Sequence, residues 1–274
     1  MDLRLLSADA RPARHASGVT WLVPLLLGLG LTPCASHADV SSGDTLAAAP
    51  CPAALDLQLA GRDGFPLHLT HYRPAGGASL GVVLIHDWGS SGAPCWGDVP
   101  RALCQAGLEV LVPDLRGHGA SVMPEMLRPL SPVPSRGELA LLATDASLWC
   151  PAFSDSVRRV VAIGLGWGGA AATRLDSPGR ELVGIAWLGP LGDAAAFPWQ
   201  PRDRARRSLL LVASLEDAVS SRVAEALFSR FNDVAELRLF DRGAGGCALL
   251  SGPGVGDGLR DWVAGFAPPT GTAR

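Results

Sequence analysis

From residue 55 onward, short apolar runs alternate with amphipathic stretches. The runs at 55–60, 67–72, 81–86, 108–113, 159–163, 182–188, 209–213 and 236–240 have the length of strands. Between them, 96–106, 137–149, 219–231 and 259–266 carry helical spacing, and 170–175 reads as a helical turn. Strands that are apolar throughout, alternating with helices, predict an α/β fold: a doubly wound, mostly parallel sheet with helices on both faces. Two stretches break the rhythm. Residues 121–136 are proline-rich, and 190–207 combine prolines with several arginines, so the latter is expected to form a short lid over a site.

The first residues have a different character. Arg4, Arg11 and Arg14 precede an uncharged stretch with an apolar heart at 21–31, and Ser36-His37-Ala38 places small residues where a signal peptidase reads them. The expectation is a leader over 1–38 cleaved after Ala38, a linker over 39–54, one domain over 55–267 and a tail over 268–274. The apolar heart is shorter than the roughly 20 residues of a spanning helix, so membrane contact is expected only through an uncleaved leader. Export to the periplasm or the medium follows. Of the six cysteines, Cys51, Cys95, Cys104, Cys150 and Cys247 would survive cleavage. In an oxidising compartment some should pair, with one left over and the connectivity open.

Composition narrows the chemistry. All 23 basic residues are arginine, which excludes a lysine Schiff base and a P-loop lysine. With 26 acidic residues, a formal charge of −3 and no basic run, a sequence-independent grip on nucleic acid has no electrostatic basis. No cysteine spacing suits a zinc site, and His68 and His71, three apart in a strand, face opposite sides. Neither metal nor cofactor is expected.

Two strand-end motifs carry a resemblance. His86-Asp87-Trp88-Gly89 closes one apolar strand, and Asp114-Leu115-Arg116-Gly117-His118-Gly119 closes the next. Together they resemble the α/β-hydrolase family, and the likeness extends roughly over 55–266. It implies that the Trp88 N–H is one oxyanion donor, and that a nucleophile sits on the sharp strand-to-helix turn 164–169, written G-x-S-x-G in the family. Here that turn reads Gly164-Leu165-Gly166-Trp167-Gly168-Gly169, with Gly166 at the nucleophile position and the Trp167 N–H as second donor. Asp217 falls at the acid position, or caps the helix that follows. Gly246 falls where the histidine is expected. The six histidines are at 15, 37, 68, 71, 86 and 118, so none follows the acid and the order Ser, Asp, His cannot be completed.

Other chemistries fit less well. Asp87, in Asp87-Trp88-Gly89, resembles the aspartate nucleophile of the epoxide-hydrolase branch, but it lies on the earlier oxyanion turn, where its charge opposes a developing anion. Gly164, Gly166 and Gly169 satisfy G-x-G-x-x-G, yet the next strand ends without the acid that would bind a ribose. Cys247 has no histidine to activate it, and His86 and His118 have no catalytic partner in sequence. The expected protein is an exported, non-catalytic relative that acts in binding or as an accessory protein. Its pocket is expected to be lined by His86, Asp87, Trp88, Gly166, Trp167 and Asp217 and enlarged by the glycines. An esterase or peptidase with an unorthodox site, and a protein-interaction scaffold using the lid, are the alternatives.

Overall fold

The computed structural model describes residues 4–6, 50–90, 92–123, 131, 133–194, 208–241, 243 and 245–267. The cleavage site, most of the linker, the tail and the larger part of the expected lid lie outside these residues.

The strands are β1 (Arg4–Leu6), β2 (Leu55–Ala60), β3 (Pro66–Tyr72), β4 (Leu80–Ile85), β5 (Glu109–Pro113), β6 (Arg159–Leu165), β7 (Glu181–Leu188), β8 (Ser208–Ser214) and β9 (Ala235–Phe240). They form one sheet in the order β1-β9-β8-β7-β6-β4-β5-β3-β2. Strands β4 to β9 run parallel, while β2 and β3 at one edge and β1 at the other are antiparallel to their neighbours. The mostly parallel α/β sheet expected from the apolar strands is present. Strand β1 falls inside the segment expected as a leader. It adds three residues at the edge beside β9, and all the interior pairing is made by the other strands.

The helices are α1 (Val99–Gln105), α2 (Arg136–Trp149), α3 (Trp167–Ala172), α4 (Ala218–Phe231) and α5 (Val255–Ala264). Strand β4 illustrates why both faces need covering. Its side chains alternate, Val83 and Ile85 packing in a core with Leu142, Trp149 and Phe231, and Val82 and Leu84 in a second core with Trp96, Leu103 and Leu259. The first core lies under α2, α3 and α4, the second under α1 and α5. Helix α2 starts on a capping box, in which the Ser135 hydroxyl accepts from Glu138 N and the Glu138 carboxylate accepts from Ser135 N.

Three helix starts differ from the sequence expectation. Residues Ala93–Trp96 form a separate 3-10 turn ended by Gly97 at φ 52°, so α1 begins at Val99 rather than 96. Helix α3 begins at Trp167, three residues early, because packing on the sheet overrides the poor helix propensity of Gly168 and Gly169. Helix α5 begins at Val255, directly after the left-handed Gly254.

Two disulfides cross-link the fold. Cys51 pairs with Cys104 on α1, and Cys95, in the 3-10 turn after β4, pairs with Cys247 in the segment after β9. Among the described residues Cys150 is left over. It is buried, and burial pushes its thiol up to about 12, so it is inert. No helix among the described residues is long and apolar enough to cross a membrane. Both features are compatible with an exported protein.

The Cys95–Cys247 link closes the longer loop, 152 residues against 53. Replacing both of its cysteines with serine is expected to lower stability by about 2–5 kcal/mol, read as a lower midpoint in denaturant. Reductant should lower the wild-type midpoint in the same direction; a midpoint indifferent to reductant would contradict the cross-link.

Candidate functional site

Strand β6 meets α3 in a turn whose tip, Gly166, holds φ 50° and ψ −120°. This backbone region suits glycine and is strained for any other residue. The flanking glycines answer to close approach. A Cβ on Gly164 would lie 2.3 Å from Gly169 N, one on Gly168 2.2 Å from His86 O, and one on Gly169 1.9 Å from the Trp187 ring. The turn can therefore be this sharp, and press this closely on β4 and β7, only with the side chains removed.

Asp87 follows the C-terminal end of β4, next to that turn. Its Oδ1 accepts two backbone N–H groups at once, Trp88 N at 2.8 Å and Trp167 N at 2.8 Å. These are the two donors that the resemblance assigned to an oxyanion hole, and a carboxylate of the protein's own fills it. A Cβ on Gly166 would sit 2.2–2.4 Å from the Asp87 carboxylate atoms. The expectation that missing side chains enlarge the site is thus corrected at Gly166, because Asp87 takes up the space. Burial raises the Asp87 pKa, and the two N–H bonds only partly oppose it.

Asp217 caps α4, its Oδ1 accepting from Val219 N at 3.2 Å and Ser220 N at 3.1 Å. The capping role left open by the sequence is the one the geometry displays. Gly245 lies against it, since a Cβ there would be 2.3 Å from Asp217 Oδ2. Gly246, at φ 62°, comes next, and a Cβ on it would be 3.6 Å from Asp87 Oδ2. The turns holding Gly166 and Gly246 therefore face one another across Asp87, with Asp217 behind the second. Cys247 is in a disulfide, which removes it as a thiol nucleophile.

His86 and His118 are both buried and both fully engaged. His86 Nε2 accepts from Leu115 N at 2.8 Å, which leaves Nδ1–H to donate to Asp87 O at 2.8 Å. His118 Nε2 accepts from Gly89 N at 2.8 Å, and its Nδ1–H donates to Arg116 O at 3.1 Å. Burial lowers the pKa of both, that of His86 to about 4, so each is a neutral ring bracing backbone turns. The Trp88 ring stacks edge-on against His118 and donates through Nε1 to Ser131 O. On β3, His71 is buried against Glu109 at 2.8 Å, and His68 reaches Asp114 at 3.2 Å on the other face. Among the described residues no three side chains form a metal-binding group.

The open space lies to one side of the turn. A cavity of about 580 Å³ runs between α2, α3 and the segment after β7, with Leu139, Ala140, Trp167, Ala170 and Trp187 in its walls. Of the residues expected to line a pocket, Trp167 lines this one. His86 and Trp88 turn inward to their own partners, and Asp87 turns into the donor pair. Sequence reasoning missed Arg136 and Arg174 on the cavity rim, since the start of one helix and the end of another give no signal of meeting.

Gly166 and Asp87 should be energetically coupled. Gly166→Ala is expected to cost more than about 3 kcal/mol in wild type, from strain at positive φ plus the overlap with Asp87, and clearly less in an Asp87→Gly background. Equal costs in the two backgrounds, measured by a double-mutant cycle in denaturant, would show the overlap to be relieved elsewhere. The histidines set a pH dependence. The folded pKa of both rings lies below the ordinary 6.5, that of His86 at about 4, so their contribution is full above pH 6.5 and declines as pH falls below it, at up to about 1.4 kcal/mol per pH unit per ring. Asp87 works in the opposite sense. Its raised pKa means the penalty is absent below the ordinary 3.8 and appears as pH rises through the folded value. Asp87→Asn should therefore gain more relative to wild type at pH 7 than at pH 3.5, read from denaturation midpoints.

Comparison with known proteins agrees with the fold. No curated protein matches the sequence. Among solved structures, a dienelactone hydrolase from Anabaena variabilis is 20% identical, covering 79% of this chain and 99% of that one with a TM-score of 0.57. An acetyl xylan esterase from Thermoanaerobacterium is 16% identical over 81% and 85%, with a TM-score of 0.56. An esterase from Pyrococcus furiosus is 17% identical over 79% and 94%, with a TM-score of 0.53. At these identities the structures share the fold with this chain. Residues 82–271 match the alpha/beta hydrolase family itself. The chain belongs to the α/β hydrolase family.

Proposed function

We propose that this protein is a non-catalytic α/β hydrolase that binds a small ligand in the cavity beside the β6–α3 turn. One observation carries the reading: Asp87 Oδ1 occupies both N–H donors, Trp88 and Trp167, that a hydrolase needs for its oxyanion. A substrate carbonyl would have to displace a charged acceptor held by two hydrogen bonds, a cost of about 3 kcal/mol or more. It would then develop negative charge beside the displaced carboxylate.

The rest of the machinery is reduced in the same direction. Gly166 and Gly246 stand in the places of the serine and the histidine, so nothing at the turn can form an acyl-enzyme and nothing opposite can take its proton. Asp217 is left as a helix cap. An oxyanion hole with substrate binding retains about 10³-fold rate enhancement over water, and here the hole itself is filled. Export, with residues 1–38 as a cleaved leader, belongs to the same proposal and is supported by the paired cysteines.

The test is hydrolysis of a panel of activated esters by the purified protein, with Asp87→Ala and Asp217→Ala run alongside. The expected result is no turnover above the variants. Turnover that disappears in either variant would overturn the proposal and assign that carboxylate to catalysis. Alkylation of the recovered protein in denaturant without reductant should find one thiol, Cys150; two, with Cys34 counted, would mean the leader is retained.

A further inference from the structure

We infer that the cavity between α2 and α3 takes an amphipathic anion, an apolar chain or ring that ends in a carboxylate, and that Arg136 and Arg174 together read the carboxylate. The inference rests on the binding reading above and names the ligand class for that site.

The apolar half follows from the walls. Trp167 and Leu139 face the space from α3 and α2, with Trp187 and Ala170 beneath. About 580 Å³ is the volume of a small-molecule site. Such a pocket gives affinity to hydrocarbon or aromatic surface and little direction.

The anionic half follows from two guanidinium groups on the same rim. Arg136 is the first residue of α2, and Arg174 lies two residues beyond the end of α3. Both are exposed, and neither has an ion-pair partner among the described residues. The carboxylates nearby have partners. Glu138 closes the capping box on Ser135 N at 2.6 Å, and Asp193, on the same rim, has a partner of its own. A cation in the first turn of a helix opposes the helix dipole, so Arg136 does not serve the stability of α2. Two cations, one of them in the first turn of α2, make a rim that favours a negative group. The planar fork of arginine suits a carboxylate. The inner site cannot supply this recognition, because its two N–H donors already hold Asp87.

The test compares decanoate with decanol and decyltrimethylammonium as probes, by calorimetry and by quenching of tryptophan fluorescence, in wild type and in Arg136→Gln, Arg174→Gln and the double variant. Both positions are exposed, so the substitutions leave the core intact. Decanoate should bind at least about tenfold more tightly than decanol, and the double variant should lose that preference while still binding decanol. Rising salt should weaken decanoate alone. Equal affinity for decanoate and decanol, or a preference unmoved in the double variant, would overturn the inference and leave the binding reading in place. Decanoate preference together with hydrolysis of nitrophenyl decanoate that is lost in Asp87→Ala would overturn the non-catalytic reading and leave the inference standing. Failure of all three probes to bind would remove both.

Discussion

The Asp87 carboxylate ties together the ends of two adjacent parallel strands. Its Oδ1 draws in the N–H that follows β4 and the N–H that opens α3, two groups 79 residues apart in sequence that the sheet brings within one acceptor's reach. In a low-dielectric setting an acceptor with charge and two donors holds its position firmly. Much of the surrounding composition follows from it. Gly166 is bare because the carboxylate fills its side-chain space, and the turn with Gly246 can approach because no side chain intervenes. Burial makes the charge costly, so the arrangement is a compromise between desolvation and two strong hydrogen bonds, and desolvation dominates the pKa.

Around this centre the loops are held from outside. His86 and His118 act as neutral bridges between the turn after β4 and the turn after β5, each ring with one nitrogen donating and one accepting. Cys95–Cys247 then links the turn after β4 to the segment beside Gly246. The two rings and the disulfide hold these turns to one another, which is the property of a structural joint.

How much of this could be read from the chain depends on the range of the interaction. Strands such as β4 and β6 are apolar throughout and bounded by turn residues, so their place in a buried parallel sheet is legible locally. That Gly166 stands in the turn after β6 and that no histidine follows Asp217 is legible too, because both need only the order of residues. That Asp87 would meet Trp167 N–H was not, since the motif places Asp87 near the hole but not its side-chain torsion. The glycine positions suggested an enlarged pocket for the same reason: absence of a side chain is visible in sequence, and what moves into the space is not. The rim formed by Arg136 and Arg174 depends on the packing of α2 against α3, which no short pattern encodes.

The overlap between Gly166 and Asp87 also has a historical consequence. A serine arriving at position 166 while Asp87 is present would meet the carboxylate and be selected against for stability alone, whatever activity it might confer. A change at 87 by itself would empty the donor pair and gain nothing without a nucleophile. Position 87 must therefore change before position 166 can take a side chain, through an intermediate that has no nucleophile, and under the proposed reading a histidine opposite would be a further step, so the present arrangement is protected against a casual gain of a side chain at the turn.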